Sequence, residues 1–132
     1  MSENVTLYVK QKIAVSHRLE LPYESKCKRL HGHNLLIEVW LKGRVIEELG
    51  MLVDVTKVKK IIKEYDHEHL NKFLAQPTME NLAIKLAKRF LREFDNVDSV
   101  KIRVWESCKS YVEVEYRRVS EEDNKKDEMS KL

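Results

Sequence analysis

Val5, Leu7, Val9, Ile13 and Val15 fall on every second position, with Thr6, Lys10 and Lys12 among the residues between them. This alternation predicts a half-buried strand, interrupted on its apolar face only by Gln11. His17 has the same parity, so a strand that runs on to it brings the imidazole off the core-facing side. Arg18–Leu30 contains Pro22 and mixed polar residues and reads as a loop. A second alternation then sets His31, His33, Leu35, Ile37, Val39 and Leu41 on one face and Asn34, Glu38 and Lys42 on the other. After a turn region at Gly43–Gly50 the spacing changes. Asp54 is placed as an N-cap, and Val55, Val58, Ile61, Ile62 and Tyr65 trace one face of a helix. Pro77-Thr78 announces a second helix, with Met79, Leu82, Ala83, Leu86, Ala87, Phe90 and Leu91 as a wide apolar stripe. Met79 is assigned to the core.

Asp95–Ser99 reads as a turn, after which Val100, Ile102 and Val104 alternate with Lys101, Arg103 and Trp105. Glu106 continues the apolar parity, and a carboxylate there is costly unless it binds something. A turn at Ser107–Ser110 leads to a strand with Val112, Val114 and Tyr116 inward and Glu113 and Glu115 outward. The order β-β-α-α-β-β predicts an α+β domain: a four-stranded antiparallel sheet with two helices on one face. Residues 1–118 are expected to form this single domain. Residues 119–132, almost all polar and without periodicity, are expected to form a disordered tail.

Charge changes this picture little. The chain has 132 residues, 25 basic and 22 acidic, for a formal net charge of +3. So even a balance gives no argument for a nucleic-acid partner. No apolar run approaches the roughly 20 residues needed to span a bilayer, and Met1-Ser2-Glu3-Asn4 does not resemble a signal peptide. The two cysteines, Cys27 and Cys108, accompany no export feature, so free thiols in a cytoplasmic protein are expected.

The chemistry gathers in Cys27-Lys28-Arg29-Leu30-His31-Gly32-His33. On a strand, His31 and His33 send their rings to one face, and Gly32 between them leaves room for a backbone or ligand. Together with His17 they make three imidazoles at the entry to an apolar face. Three histidines with an open fourth position describe a catalytic zinc site.

Six short motifs now stand in order. They are Ser16-His17-Arg18-Leu19, Lys26-Cys27-x-x-Leu30-His31-Gly32-His33, Gly50-Met51-x-x-Asp54, Asp66-His67-x-x-Leu70-Asn71, Pro77-Thr78-x-Glu80-Asn81 and Glu106. Together they resemble the 6-pyruvoyl-tetrahydropterin synthase family, and within it the 6-carboxy-5,6,7,8-tetrahydropterin synthase branch, from about Val5 to Tyr116. The resemblance implies a T-fold subunit that joins others into a barrel, as a trimer of dimers or hexamer, with active sites between subunits. It implies Zn2+ held by His17, His31 and His33, and 7,8-dihydroneopterin triphosphate as substrate, feeding 7-deazaguanine (queuosine or archaeosine) synthesis. Cys27 resembles the family's catalytic base, Asp66 and His67 its second proton-moving pair, and Glu106 its pterin anchor. Thr78 and Glu80 match a motif near the ring. Lys26, Arg29, Arg18 and Lys28 are assigned to the triphosphate on charge alone.

Some positions depart from the pattern. Many relatives have Ala-Ala-His where this chain has Val15-Ser16-His17, and Met79 stands where pyruvoyl-forming members often carry a second threonine. Glu24, three residues before Cys27, keeps open a folate-pathway activity that cleaves dihydroneopterin. A different class of reading also stands: a non-catalytic scaffold in which His17, Cys27, His31 and His33 close a structural zinc site.

Overall fold

A computed structural model describes residues 3–119. Strand β1 (Asn4–His17) pairs antiparallel with β2 (His31–Arg44) without a bulge, from Asn4 opposite Arg44 to His17 opposite His31. The first strand therefore does reach His17. Helix α1 (Val55–Lys63) starts at Asp54, whose carboxylate accepts from the Thr56 amide at 2.9 Å. Helix α2 (Met79–Glu93) starts at Thr78, whose hydroxyl accepts from the Asn81 amide at 3.0 Å. Caps of this kind are each worth about 1 kcal/mol. The apolar stripes of both helices close over the inward row of the sheet. Phe90, Leu82, Leu86, Ile62, Ile37, Leu41 and Ile102 are fully buried, at about 1.5–3 kcal/mol of transfer free energy per large side chain. Met79 is part of this core.

Two expectations are corrected. The sheet is mixed and has five strands, in the order β3 (Glu68–His69), β1, β2, β4 (Val97–Ser107) and β5 (Ser110–Arg117), and it is not closed. The extra strand, β3 (Glu68–His69), pairs parallel with Val15 and Ser16 of β1. Two residues are too few to display a period, so no alternation announces it. The second correction concerns β4 (Val97–Ser107), which begins inside the predicted Asp95–Ser99 turn. Val97 is fully buried and pairs with Gly43 across a register shift at Lys42/Gly43. β5 (Ser110–Arg117) completes the hairpin. The tail expected from residue 119 onward lies, beyond Val119, outside the described residues. No helix among those residues is long and apolar enough to cross a membrane.

Gly43 owes its identity to that register shift. A Cβ there would sit 2.0 Å from the Asn96 carbonyl oxygen, whose partner is the Arg44 amide. The Asn96 side chain in turn donates to the carbonyls of Arg44 and Leu52, both at 2.7 Å, so this corner cannot give way cheaply. Gly32 differs. A Cβ there meets only the Val15 carbonyl, at 3.6 Å, an ordinary contact. Close packing within the chain therefore does not demand a glycine between the two histidines. Gly43→Ala is expected to destabilise by roughly 1–3 kcal/mol, and Gly32→Ala to stay within about 0.5 kcal/mol of the parent, as read from urea denaturation midpoints. Equal midpoints for the two variants would refute the steric account of Gly43.

Candidate functional site

Register builds the site. His17 and His31 are direct cross-strand partners, and His33 lies two residues further along β2, opposite Val15. All three rings leave the sheet on the helix side, with centroids 4.4, 4.6 and 5.1 Å apart. Glu106 arrives on the same side from β4, as its parity predicts. One ligand atom from each of His17, His31, His33 and Glu106 falls within 4.8 Å of all the others.

Hydrogen bonds then decide which nitrogens face the centre. His17 Nδ1 lies 2.7 Å from the Pro77 carbonyl, and His31 Nδ1 lies 2.7 Å from the Arg29 carbonyl. A carbonyl only accepts, so each Nδ1 carries the proton and each Nε2 keeps its lone pair. The Nε2 atoms of His17 and His33 are buried and have no hydrogen-bond partner. Glu106 Oε1 comes within 2.9 Å of His33 Nε2, but without hydrogen-bond geometry. Burial of such atoms without a partner is expensive in a folded protein. A cation that accepts both lone pairs at once would relieve it. Three imidazoles with a further position open beside them suit Zn2+, and backbone carbonyls behind two of the rings, His17 and His31, are a usual means of orienting them. Burial also lowers the pKa of His17, because the imidazolium loses its hydration.

Cys27 stands outside this group of four ligand atoms. It occupies a single turn of 3₁₀ helix, Lys26–Lys28, where the Ser25 hydroxyl caps its amide at 3.2 Å. The thiol is free and half-buried. Asp66 and His67 lie beyond the end of α1, at the outer edge of β1. Asp66 Oδ1 accepts from the Ala14 amide at 2.8 Å, and the His67 amide donates to the Ala14 carbonyl at 2.7 Å. The carboxylate thus substitutes for a strand partner. That hydrogen bond, with the His67 imidazole 3.2 Å away, holds the Asp66 carboxyl below the usual carboxylate range. His67 adopts a left-handed backbone (φ 60°), uncommon for a residue with a Cβ, and its side chain is 82% exposed. Both residues line a cleft of about 740 Å³ with Lys12, Ala14, Asn34 and Trp105. Those residues have the parity of the sheet face without helices, so the cleft and the histidine cluster are on opposite faces of β1 and β2.

The remaining predicted residues are more scattered. Thr78 caps α2, and Glu80 is exposed in its first turn. Lys26 and Arg29 are exposed near Cys27. Arg18 and Lys28 face Glu20 and Glu24 across 3.7 and 3.6 Å, surface pairs of little energetic weight. Sequence reading missed the carbonyls of Pro77 and Arg29, which carry no residue-type signal, and the contact between Ser16 Oγ and His69 Nδ1 at 3.2 Å.

Known proteins resemble this chain in sequence and fold. The family model for 6-pyruvoyl tetrahydropterin synthase matches residues 6–117. A candidate 6-carboxy-5,6,7,8-tetrahydropterin synthase of Pyrococcus horikoshii is 33% identical, over 83% of this chain and 89% of its own. The dihydroneopterin monophosphate aldolase of Pyrococcus furiosus is also 33% identical, over 67% of this chain and 81% of its own. Among solved structures, Caenorhabditis elegans 6-pyruvoyl tetrahydropterin synthase superposes with a TM-score of 0.65 at 25% identity, covering 89% of this chain and 98% of that one.

Two measurements check the site. Elemental analysis is expected to find metal retained in Cys27→Ala and lost in His17→Ala; loss from the cysteine variant would make the thiol a ligand. In metal-free protein, the unfolded chain protonates His17 near pH 6.5 and the fold only at a lower pH. Its contribution is therefore complete above about pH 6.5 and declines as pH falls through that value toward the depressed one. Denaturation midpoints between pH 7.5 and 5.5 are expected to fall in the metal-free parent and to stay flatter in metal-free His17→Gln.

Proposed function

The chain belongs to the 6-pyruvoyl tetrahydropterin synthase family, and on that premise we propose that it is a zinc-dependent lyase acting on 7,8-dihydroneopterin triphosphate to give 6-carboxy-5,6,7,8-tetrahydropterin. The single observation that carries this reading is the convergence of His17, His31, His33 and Glu106, with the Nε2 atoms of His17 and His33 buried and unpartnered and Nδ1 of His17 and His31 bound to backbone carbonyls. His17, His31 and His33 would hold Zn2+, which supplies Lewis acidity toward the hydroxyls of the substrate side chain when bound. Every other task belongs to the chain itself. Cys27, once ionised, takes a proton from that side chain. Lys26 and Lys28 beside it, with Arg29 and Arg18, attract the triphosphate. Asp66 orients His67, so that the imidazole moves a second proton. Glu106 accepts two hydrogen bonds from the amino-pyrimidinone edge of the pterin. Thr78 and Glu80 sit near the ring.

The site is shared between subunits in this reading. The Asp66–His67 cleft opens on the bare face of the sheet, away from the histidine cluster, and edge-to-edge assembly into a barrel would present one subunit's pair to its neighbour's metal. A trimer of dimers or hexamer of this kind, in the cytoplasm, supplies 7-deazaguanine (queuosine or archaeosine) synthesis. The aldolase named among the relatives supports a second product: cleavage of the side chain to leave 6-hydroxymethyl-dihydropterin. Formation of the 6-pyruvoyl product is the third. A scaffold closed by Cys27 loses ground because Glu106, not the thiol, accompanies the three histidines.

Incubation with 7,8-dihydroneopterin triphosphate followed by mass spectrometry separates the three products, and a substrate left intact by metal-loaded protein would end the lyase reading. Glu106→Gln keeps the shape but turns one acceptor into a donor that faces a donor. Loss of a charge-assisted hydrogen bond is worth about 1.5–3 kcal/mol, so KM is expected to rise roughly ten- to a hundredfold with metal content unchanged. A fall in metal content would instead make Glu106 a ligand. Where the protein proves oligomeric, inactive Cys27→Ala and His67→Ala subunits are expected to restore some activity when dissociated and reassembled together. No recovery would place both groups in one subunit.

A further inference from the structure

After His17 the ladder between β1 and β3 ends, yet the chain continues as though a strand still lay beside it. The Arg18 amide donates to Asn71 Oδ1 at 3.0 Å, and Asn71 Nδ2 donates back to the Arg18 carbonyl at 3.0 Å. Two residues on, the Glu20 amide donates to Gln76 Oε1 at 3.0 Å, and Gln76 Nε2 donates to the Glu20 carbonyl at 2.6 Å. Each primary amide thus presents the donor and acceptor that a neighbouring strand would present. Between them, on the opposite edge, the Leu19 amide donates to the Cys27 carbonyl at 2.9 Å. Alternation of this kind belongs to a strand in a sheet. Here two side chains form one neighbour and the Cys27 turn forms the other.

Both amides are mounted on fixed points. Asn71 follows Leu70, fully buried, in the single 3₁₀ turn Leu70–Lys72. The Gln76 carbonyl accepts from Asn81 Nδ2 at 2.9 Å, and the next residue is Pro77, whose carbonyl orients His17. One short segment therefore sets the ring of a histidine and, through Glu20 and Leu19, the place of the thiol turn.

We infer that Asn71 and Gln76 are positioning residues for Cys27: their side-chain amides hold Arg18–Glu20 extended, so that the Leu19 amide fixes the Cys27 turn against the end of β1. The hydrogen bonds of both side-chain amides go to the main chain of Arg18 and Glu20, not to the thiol or the cluster. The inference deepens the lyase reading and rests on it only for the role of Cys27; the geometry of the clamp stands apart from any substrate.

Asn71→Asp and Gln76→Glu keep the acceptor for each amide and place a second oxygen against each carbonyl, so they oppose the clamp at unchanged size. Asn71→Ala and Gln76→Ala delete it. In full-length, metal-loaded protein, iodoacetamide labelling of Cys27 is followed against pH by peptide mass spectrometry, with Cys108 in the same digest as the reference. All four variants are expected to keep the parent's metal content and thermal midpoint within a few degrees. Cys27 labelling should quicken at least about threefold relative to Cys108, as expected for a half-buried thiol on a loosened turn. With the pterin substrate, kcat is expected to fall roughly ten- to a hundredfold with a smaller change in KM, the cost of a displaced catalytic group. Parental labelling and kcat in the Asp and Glu variants would overturn the inference, as would losses that merely follow metal content or unfolding. If the parent itself leaves the pterin intact, the function falls while the labelling still judges the clamp.

Discussion

A slip of one residue between β1 and β2 would turn His31 and His33 toward the bare face of the sheet and leave His17 alone against the helices. Register is the constraint on which everything else rests, because a strand's side chains change face with every step. The long apolar rows of these two strands fix it. Val9, Ile13 and Val15 on one strand and Leu35, Ile37, Val39 and Leu41 on the other are all buried, so a slipped pairing would expose them together. The transfer free energy that folds the domain also holds the imidazoles in place. Burial of this histidine cluster would be hard to sustain in a less firmly specified sheet.

The helices contribute to the chemistry indirectly. The turn that caps α2 carries the Pro77 carbonyl behind His17, and the chain leaving α1 lays the Asp66 carboxylate on the edge of β1. Each lies just outside a helix, where the connecting chain turns back against β1. That arrangement is economical in residues, but it couples the cluster to packing: a shift of α2 against the sheet would disturb the carbonyl that holds the His17 ring.

Much of this was legible in the sequence. Parity alone placed His17, His31, His33 and Glu106 on one face, because each continues an apolar row by steps of two. Asp54 and Thr78 were legible as caps because their chemistry is local. What stayed hidden depends on backbone or on distant partners. β3 is too short to show a period, Val97 was obscured by its polar neighbours Asn96 and Asp98, and the carbonyls of Pro77 and Arg29 leave no trace in residue type. At Gly32 an added Cβ would meet the Val15 carbonyl at 3.6 Å, an ordinary contact, so packing within the chain does not decide why a glycine stands between the two histidines. Nothing about Asn71 or Gln76 as residue types sets them apart from surface amides.

Because the clamp grips main chain, Arg18 and Glu20 are held without being recognised. Almost any side chain except proline can occupy those two positions while the path toward Cys27 stays the same. The segment that leads to the thiol is in this sense a stage whose furniture can change. Charge, size or polarity can change there with no penalty to the geometry behind it. The freedom to vary lies beside the chemistry, and the obligation to stay lies in two amides some fifty residues away in sequence.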